Sequence, residues 1–301
     1  MFTRAIVRPP APNFSEGLTT AGLGEPDYEL ALRQHEAYCA ALEQCGLTVT
    51  RLEADARYPD SCFVEDTAIV LHRMGSRLII NAKDAKADAK VAMQTFTPLR
   101  SSAKNSTSSE LNQMGSRSVL TRPGAGSRQG EVASTREALN TIFPAEAIHE
   151  IRAPGTLDGG DICEAGNHFL IGLSERTNEA GAQQLADILA TSGYTSSVVG
   201  IRNVDGILHL KSGVAYLGDN RLVVTEAMAQ RKEFASYDLL QVPYGEEYSA
   251  NCVRVNDHVL IAAGYPGTEI RLRELGYRTI SLEMSEFQKM DGGLSCLSLR
   301  F

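Results

Sequence analysis

The sequence predicts a mixed α/β fold built from one recurring unit of two short strands, a helix and a third strand. Three observations carry this. Short apolar runs alternate with stretches of helical spacing along the whole chain. Gly, Asn and Asp cluster between the paired runs, where hairpin turns fall. The paired runs begin near residues 62, 161, 208, 252 and 294, and the later starts are evenly spaced. The units share almost no identity, so the repeat is one of elements rather than letters.

The elements follow in order. Ala5–Val7 is an apolar run ended by Pro9 and Pro10. Residues 27–45 have helical spacing, with Tyr28, Leu32, His35, Cys39 and Leu42 on one face and Gly46 as the stop. Leu47–Leu52 alternates with period two. An extended pair starts at Cys62. Gly130–Phe143 reads as a helix with Val132, Leu139 and Ile142 inward. Asp161–Glu164 and His168–Gly172 form a hairpin around Gly166 and Asn167. Thr177 caps a helix that stops at Gly193. Leu208–Leu217 and Arg221–Thr225 pair across Gly218, Asp219 and Asn220, and a short helix follows at Ala227–Ser236. Cys252–Asn256 and His258–Ala263 pair next, then a helix at Thr268–Leu275 and a terminal strand at Leu294–Phe301.

The first interval between units is about twice the others, and a repeat explains it. Met74-Gly75-Ser76-Arg77 recurs as Met114-Gly115-Ser116-Arg117. Between the copies lie a Lys/Ala/Asp-rich stretch and a Ser-rich stretch with Phe96 as their one aromatic. Such a composition buries little. Residues 76–117 are therefore expected to be a solvent-exposed excursion from a single domain spanning residues 1–301. Skipping one copy restores an uninterrupted hairpin.

Composition limits the partners. The chain has 301 residues, 43% of them hydrophobic, with 29 Lys and Arg against 37 Asp and Glu. A net charge of −8 disfavours nucleic acid or an anionic membrane and suits a cationic ligand. No apolar run approaches a bilayer-crossing length. The six cysteines have no zinc spacing, and the N-terminus has no signal-peptide core. The expectation is a cytoplasmic protein with free thiols.

Four polar clusters interrupt the apolar context: Asp60 to Asp66, Thr156-Leu157-Asp158-Gly159-Gly160-Asp161, His209-Leu210-Lys211-Ser212, and Met290 to Ser298 around Cys296. Each alone has an ordinary structural explanation. Together they supply a thiol, an imidazole, a carboxylate to orient it, and a further acid pair for a cation. No Walker loop or HExxH is present, and Gly124–Gly130 has the wrong spacing for a dinucleotide loop.

These blocks, with Thr121-Arg122-Pro123-Gly124, Ala250-Asn251-Cys252 and the terminal Gly292 to Phe301, closely resemble the dimethylarginine dimethylaminohydrolases. That family belongs with arginine deiminases and amidinotransferases. The resemblance implies a five-bladed α/β propeller of ββαβ modules, closed by pairing of the two chain ends. It implies Cys296 as nucleophile, His209 as general acid/base and Asp158 as the carboxylate orienting it. Asp66 would bind the guanidinium, with Glu65 beside it in the pocket. Asp60 would meet the substrate's α-amino end, and Arg128 and Arg176 its α-carboxylate. Leu18 would sit in a mobile lid, and the Met290 carbonyl would add a contact. No cofactor or metal is implied, and the partner is a small methylated arginine bound by a monomer or homodimer.

Arginine deiminases resemble this pattern but carry a second acid where Lys211 stands. Its absence suits a methylated nitrogen and favours release of dimethylamine or methylamine over ammonia. The alternatives are a deiminase releasing ammonia and a non-catalytic binder of arginine analogues. The other five cysteines are expected to be packing residues.

Overall fold

Five antiparallel strand pairs each gain a third, parallel strand through a crossover, giving five three-stranded sheets. The computed structural model describes residues 1–71 and 116–301. The second sheet holds β3 (Ala68–Leu71), β4 (Arg117–Leu120) and β5 (Ile148–Glu150). The third holds β6 (Ile162–Ala165), β7 (His168–Leu173) and β8 (Thr195–Gly200). The fourth holds β9 (Val214–Gly218), β10 (Arg221–Val224) and β11 (Asp238–Gln241). The fifth holds β12 (Val253–Val255), β13 (His258–Ala262) and β14 (Arg278–Leu282). The first sheet joins the chain ends: β1 (Arg4–Val7) pairs antiparallel with β15 (Leu299–Arg300) and parallel with β2 (Thr48–Arg51).

The sheets are linked by five apolar cores, each shared by two neighbours. Side chains on a strand alternate between faces, and in the antiparallel pairs most positions on both faces are buried. Ile69 and Leu71 point into the core shared with the third sheet, and Ala68 and Val70 into the core shared with the first. Leu170 meets Leu222 and Val224 between the third and fourth sheets, and Val223 meets Val259 and Ile261 between the fourth and fifth. Leu260 and Ala262 meet Ala5 and Val7, which returns the ring to the first sheet. Five cores alternating with five sheets make a propeller-like arrangement, although no single sheet closes on itself among the described residues. Each fully buried aliphatic side chain contributes about 1.5–3 kcal/mol.

Several sequence expectations hold in detail. The helix Tyr28–Gln44 is capped by Asp27 and ends before Gly46 at φ +89°. Gly193 and Gly276 stop their helices at φ +84° and +88°. The two strands expected to flank the first interval pair antiparallel, with Leu71 opposite Arg117; what connects them lies outside the described residues.

Others are corrected. Arg117 opens β4, so the expected excursion at 76–117 cannot reach that far; the Met74–Arg77 and Met114-Gly115 segments lie outside the described residues. Asn178 rather than Thr177 caps the helix Glu179–Thr191, because Thr177 Oγ1 donates to buried Asp161 instead. The strand expected from Leu208 starts only at Val214; before it, Leu210–Gly213 is a helical turn capped by His209. The strand expected from Cys62 likewise starts at Ala68, after a 3-10 turn at Val64–Thr67. The terminal strand is preceded by a 3-10 turn at Leu294–Leu297. Short polar turns inside apolar context defeat a period-two reading, and all three carry candidate site residues. No described helix is long and apolar enough to cross a membrane.

Candidate active site

Four turns at one end of the sheets converge on a narrow cleft. Nine of the ten residues expected at the site line it: Leu18, Asp60, Asp66, Arg128, Asp158, Arg176, His209, Met290 and Cys296. Phe63, Leu208, Asp291 and Gly292 complete the walls.

Backbone geometry explains the convergence. Gly159 and Gly160 let one turn press against two others. A Cβ on Gly160 would lie 2.8 Å from the His209 ring and 2.9 Å from Asp66 Oδ1, and one on Gly159 would overlap the Glu65 carbonyl. Gly160 N–H instead donates to Asp66 Oδ1 at 2.8 Å. Asp158 accepts the Gly124 N–H at 2.8 Å on Oδ1 and meets His209 Nε2 at 3.1 Å on Oδ2. Asp161, behind this pair, accepts the Leu210 N–H and the hydroxyls of Ser174 and Thr177, which fixes the turn that presents His209.

Charges in the cleft are strongly perturbed. Burial alone would push the His209 imidazole down. Asp66, with Asp158 and Asp161, outweighs it and raises the value to about 9, so the ring is an imidazolium at neutral pH. Burial would raise Asp66, but His209 and Arg128 hold it below the usual carboxylate range. Burial, then Glu65 and Asp66, push the Cys296 thiol up to about 12, so the free protein holds a neutral thiol. Burial raises Asp60, whose carboxylate accepts the Leu18 N–H.

Asp66, Asp158 and His209 bring one potential ligand atom each within 4.8 Å of one another. An imidazolium does not coordinate a cation, and both acids are engaged by His209, Arg128 and backbone N–H groups. The donor set fits proton handling better than metal binding.

The structure revises the expectation for Glu65 and adds detail for the two arginines. Glu65 does not line the cleft: its carboxylate turns to Lys211 Nζ at 2.5 Å and Arg300 Nη2 at 3.3 Å. Arg128 is not a free cation. It donates to Asp66 Oδ2 at 2.7 Å and clasps Glu131 through Nε and Nη2. Arg176, by contrast, lines the cleft with no ion pair among the described residues. Sequence reasoning missed Glu131; the only signal was its place three residues after Arg128. It also gave no role to Asn251, although it lay in a quoted block.

The segment around Leu18 is tied across the cleft mouth. Thr19 Oγ1 donates to the Lys289 carbonyl, and Thr20 donates through N–H and hydroxyl to Asp291 Oδ2.

Known proteins resemble this chain over its whole length. A family model described as arginine deiminase matches residues 139–257. An N(G),N(G)-dimethylarginine dimethylaminohydrolase of Pseudomonas aeruginosa is 38% identical over all of both chains. A protein of the same description from Streptomyces coelicolor is 30% identical over 99% of this chain and 96% of its own. The solved structure of a mutant of the Pseudomonas aeruginosa protein, complexed with citrulline, superposes with a TM-score of 0.82 over all of both chains at 38% identity.

Proposed function

The chain belongs to the dimethylarginine dimethylaminohydrolase family, and from that premise we propose that its cleft hydrolyses Nω-methylated arginines to L-citrulline and an alkylamine. The observation that carries this is the meeting of Cys296, His209, Asp158 and Asp66 in one buried cleft. His209 is held as an acid and Asp66 as an anion.

The chemistry follows from those states. Asp66 receives the substrate guanidinium and orients it. The cation's charge beside Cys296 offsets the acids that hold the thiol neutral, and the thiol proton is lost to water. The thiolate attacks the guanidinium carbon, forming a C–S bond while the C=N electron pair moves to nitrogen. His209 gives its proton to the methylated nitrogen, the C–N bond breaks and dimethylamine or methylamine leaves. A thiouronium remains on Cys296. Neutral His209 then takes a proton from water, whose oxygen attacks the same carbon. The C–S bond breaks, releasing citrulline and the cysteine. Asp158 keeps the imidazole oriented and stabilises its charged form.

Asp60 would meet the α-amino group, Arg128 and Arg176 the α-carboxylate, and the Met290 carbonyl a further donor. The segment at Leu18 acts as the lid. Glu65 acts from behind the cleft, since it raises the Cys296 thiol without facing the substrate. Lys211 stands where a second guanidinium-binding acid would otherwise be, which leaves room for methyl groups. The protein works as a single domain, as a monomer or homodimer, in the cytoplasm. All six cysteines are unpaired, which fits a reducing compartment.

The test is incubation with asymmetric dimethylarginine, following citrulline and dimethylamine, with Cys296→Ser as control. Equal citrulline from that variant would end the covalent mechanism. Ammonia from plain arginine as the main product would move the activity to a deiminase, the reading favoured by the arginine deiminase model match.

A further inference from the structure

We propose that Asn251 is a positioning residue for the reaction, its side-chain amide fixing the turn that carries His209 against the turn that carries Cys296. The inference rests on the reading of that pair as acid/base and nucleophile.

The two turns belong to different parts of the ring. His209 precedes β9 of the fourth sheet, and Cys296 precedes β15 of the first. Asn251 stands between them, just before β12 of the fifth sheet, and is 8% exposed. Its Nδ2 donates to the Lys211 carbonyl at 3.0 Å and to Ser295 Oγ at 3.2 Å. Its Oδ1 accepts the Ser295 N–H at 2.9 Å. Lys211 is two residues after His209, and Ser295 immediately precedes Cys296. One planar amide therefore spans both turns.

The backbone partners dictate its chemistry. A carbonyl on one side demands a donor, and an N–H on the other demands an acceptor. A carboxamide offers both, from two separate atoms on one short stem, whereas a hydroxyl would have to serve both turns from a single atom. Aspartate would set an oxygen against the Lys211 carbonyl and add an anion near a thiol that Glu65 and Asp66 already raise. A second observation agrees: a Cβ on Gly293 would lie 2.6 Å from Asn251 Cγ and 2.8 Å from both its terminal atoms. The chain leading to Cys296 thus runs directly over the amide, and glycine allows the approach. Asn251 is absent from the cleft lining, so it acts through the two turns rather than by touching substrate.

The experiment compares Asn251→Ala and Asn251→Asp with the parent chain and with Cys296→Ser. Active sites are titrated by stoichiometric alkylation of Cys296, and kcat is expressed per titrated site. We expect kcat per site to fall about 10²-fold in Asn251→Ala, the scale of a misplaced reacting group, with KM within about threefold. Asn251→Asp, which keeps the packing, falls at least as far and alkylates more slowly at fixed pH. A merely structural amide would lower Tm and the number of titratable sites but leave kcat per site unchanged, and that result overturns the proposal. An inactive Cys296→Ser with parental kcat in both Asn251 variants overturns it alone. An active Cys296→Ser overturns it together with the mechanism it rests on.

Discussion

Arg128 Nη1 lies 2.7 Å from Asp66 Oδ2, so the acid that would hold a substrate's guanidinium already holds a guanidinium of the chain itself. The pair is fully desolvated, with side chains 7% and 3% exposed. Glu131 completes a carboxylate–guanidinium–carboxylate row. On the function proposed above, an arginine-like substrate would bring both charges, its guanidinium to Asp66 and its carboxylate to Arg128, and the site would stay balanced.

Removing the central cation tests that balance. Arg128→Ala would strip Glu131 of its cation and leave Asp66 with only the Gly160 N–H and the charge of His209. Breaking a buried pair in this way costs about 3–5 kcal/mol. Urea unfolding at pH 9 should show a loss of that order, and it should shrink as pH falls through about 7, because burial raises Glu131 to about 7 even beside Arg128 and its protonation removes the unpaired charge. A loss below about 1 kcal/mol would mean the row does not support the fold.

His209 predicts a pH dependence of stability. Its value is about 9 when folded against 6.5 for the free side chain. A group held above its unfolded value adds stability that is complete below about pH 6.5 and lost as pH rises through about 9. Unfolding free energy should therefore decline across that window, and less steeply in His209→Asn. Cys296, pushed up to about 12, should react with iodoacetamide about tenfold faster per pH unit from 7 to 9. A plateau beginning below pH 8 would contradict a neutral thiol in the free protein.

Gly160 predicts a rate defect without a binding defect of equal size. A methyl group there meets the His209 ring and the Asp66 carboxylate at once. Gly160→Ala should lower kcat at least tenfold by displacing the imidazole. Parental kcat would show that the turn can yield.

The cleft mouth predicts the opposite pattern. Asp291 Oδ2 holds Thr20 through two hydrogen bonds. Asp291→Ala should raise KM several-fold and leave kcat within about threefold, measured by steady-state citrulline formation. A kcat loss exceeding the KM change would place Asp291 in the chemistry instead.

The first-interval segment should be dispensable. Leu71 sits opposite Arg117 in the β3–β4 pair, the register of a tight hairpin. Replacing residues 72–116 by Asn-Gly, which suits a two-residue turn, should keep kcat/KM within about threefold. Activity rising sharply on deletion would show that the segment obstructs the site.

Much of the site was readable because its residue types are chemically restrictive. Few side chains can serve as nucleophile, acid/base or cation clamp, so Cys296, His209, Asp158 and Asp66 stood out in four short blocks. The repeated strand–helix unit was readable because strands buried on both faces leave short continuous apolar runs between helical stretches. Boundaries were less so: His209 looked like a strand residue because its turn is bracketed by Leu208 and Leu210, yet Asp161 holds the Leu210 N–H in a helical turn from 49 residues away.

The sequence by itself determined the family, the recurring unit and the groups proposed to carry the chemistry, since these depend on residue type and local spacing. Tertiary structure alone decided how those groups are charged and paired. Arg128 meets Asp66 across 62 residues of chain, Glu65 turns from the cleft toward Lys211 and Arg300, and Asn251 reaches two turns at once. Coulombic and hydrogen-bond energies depend on distances of a few ångströms and on burial. Those quantities exist only after the ring of sheets has closed.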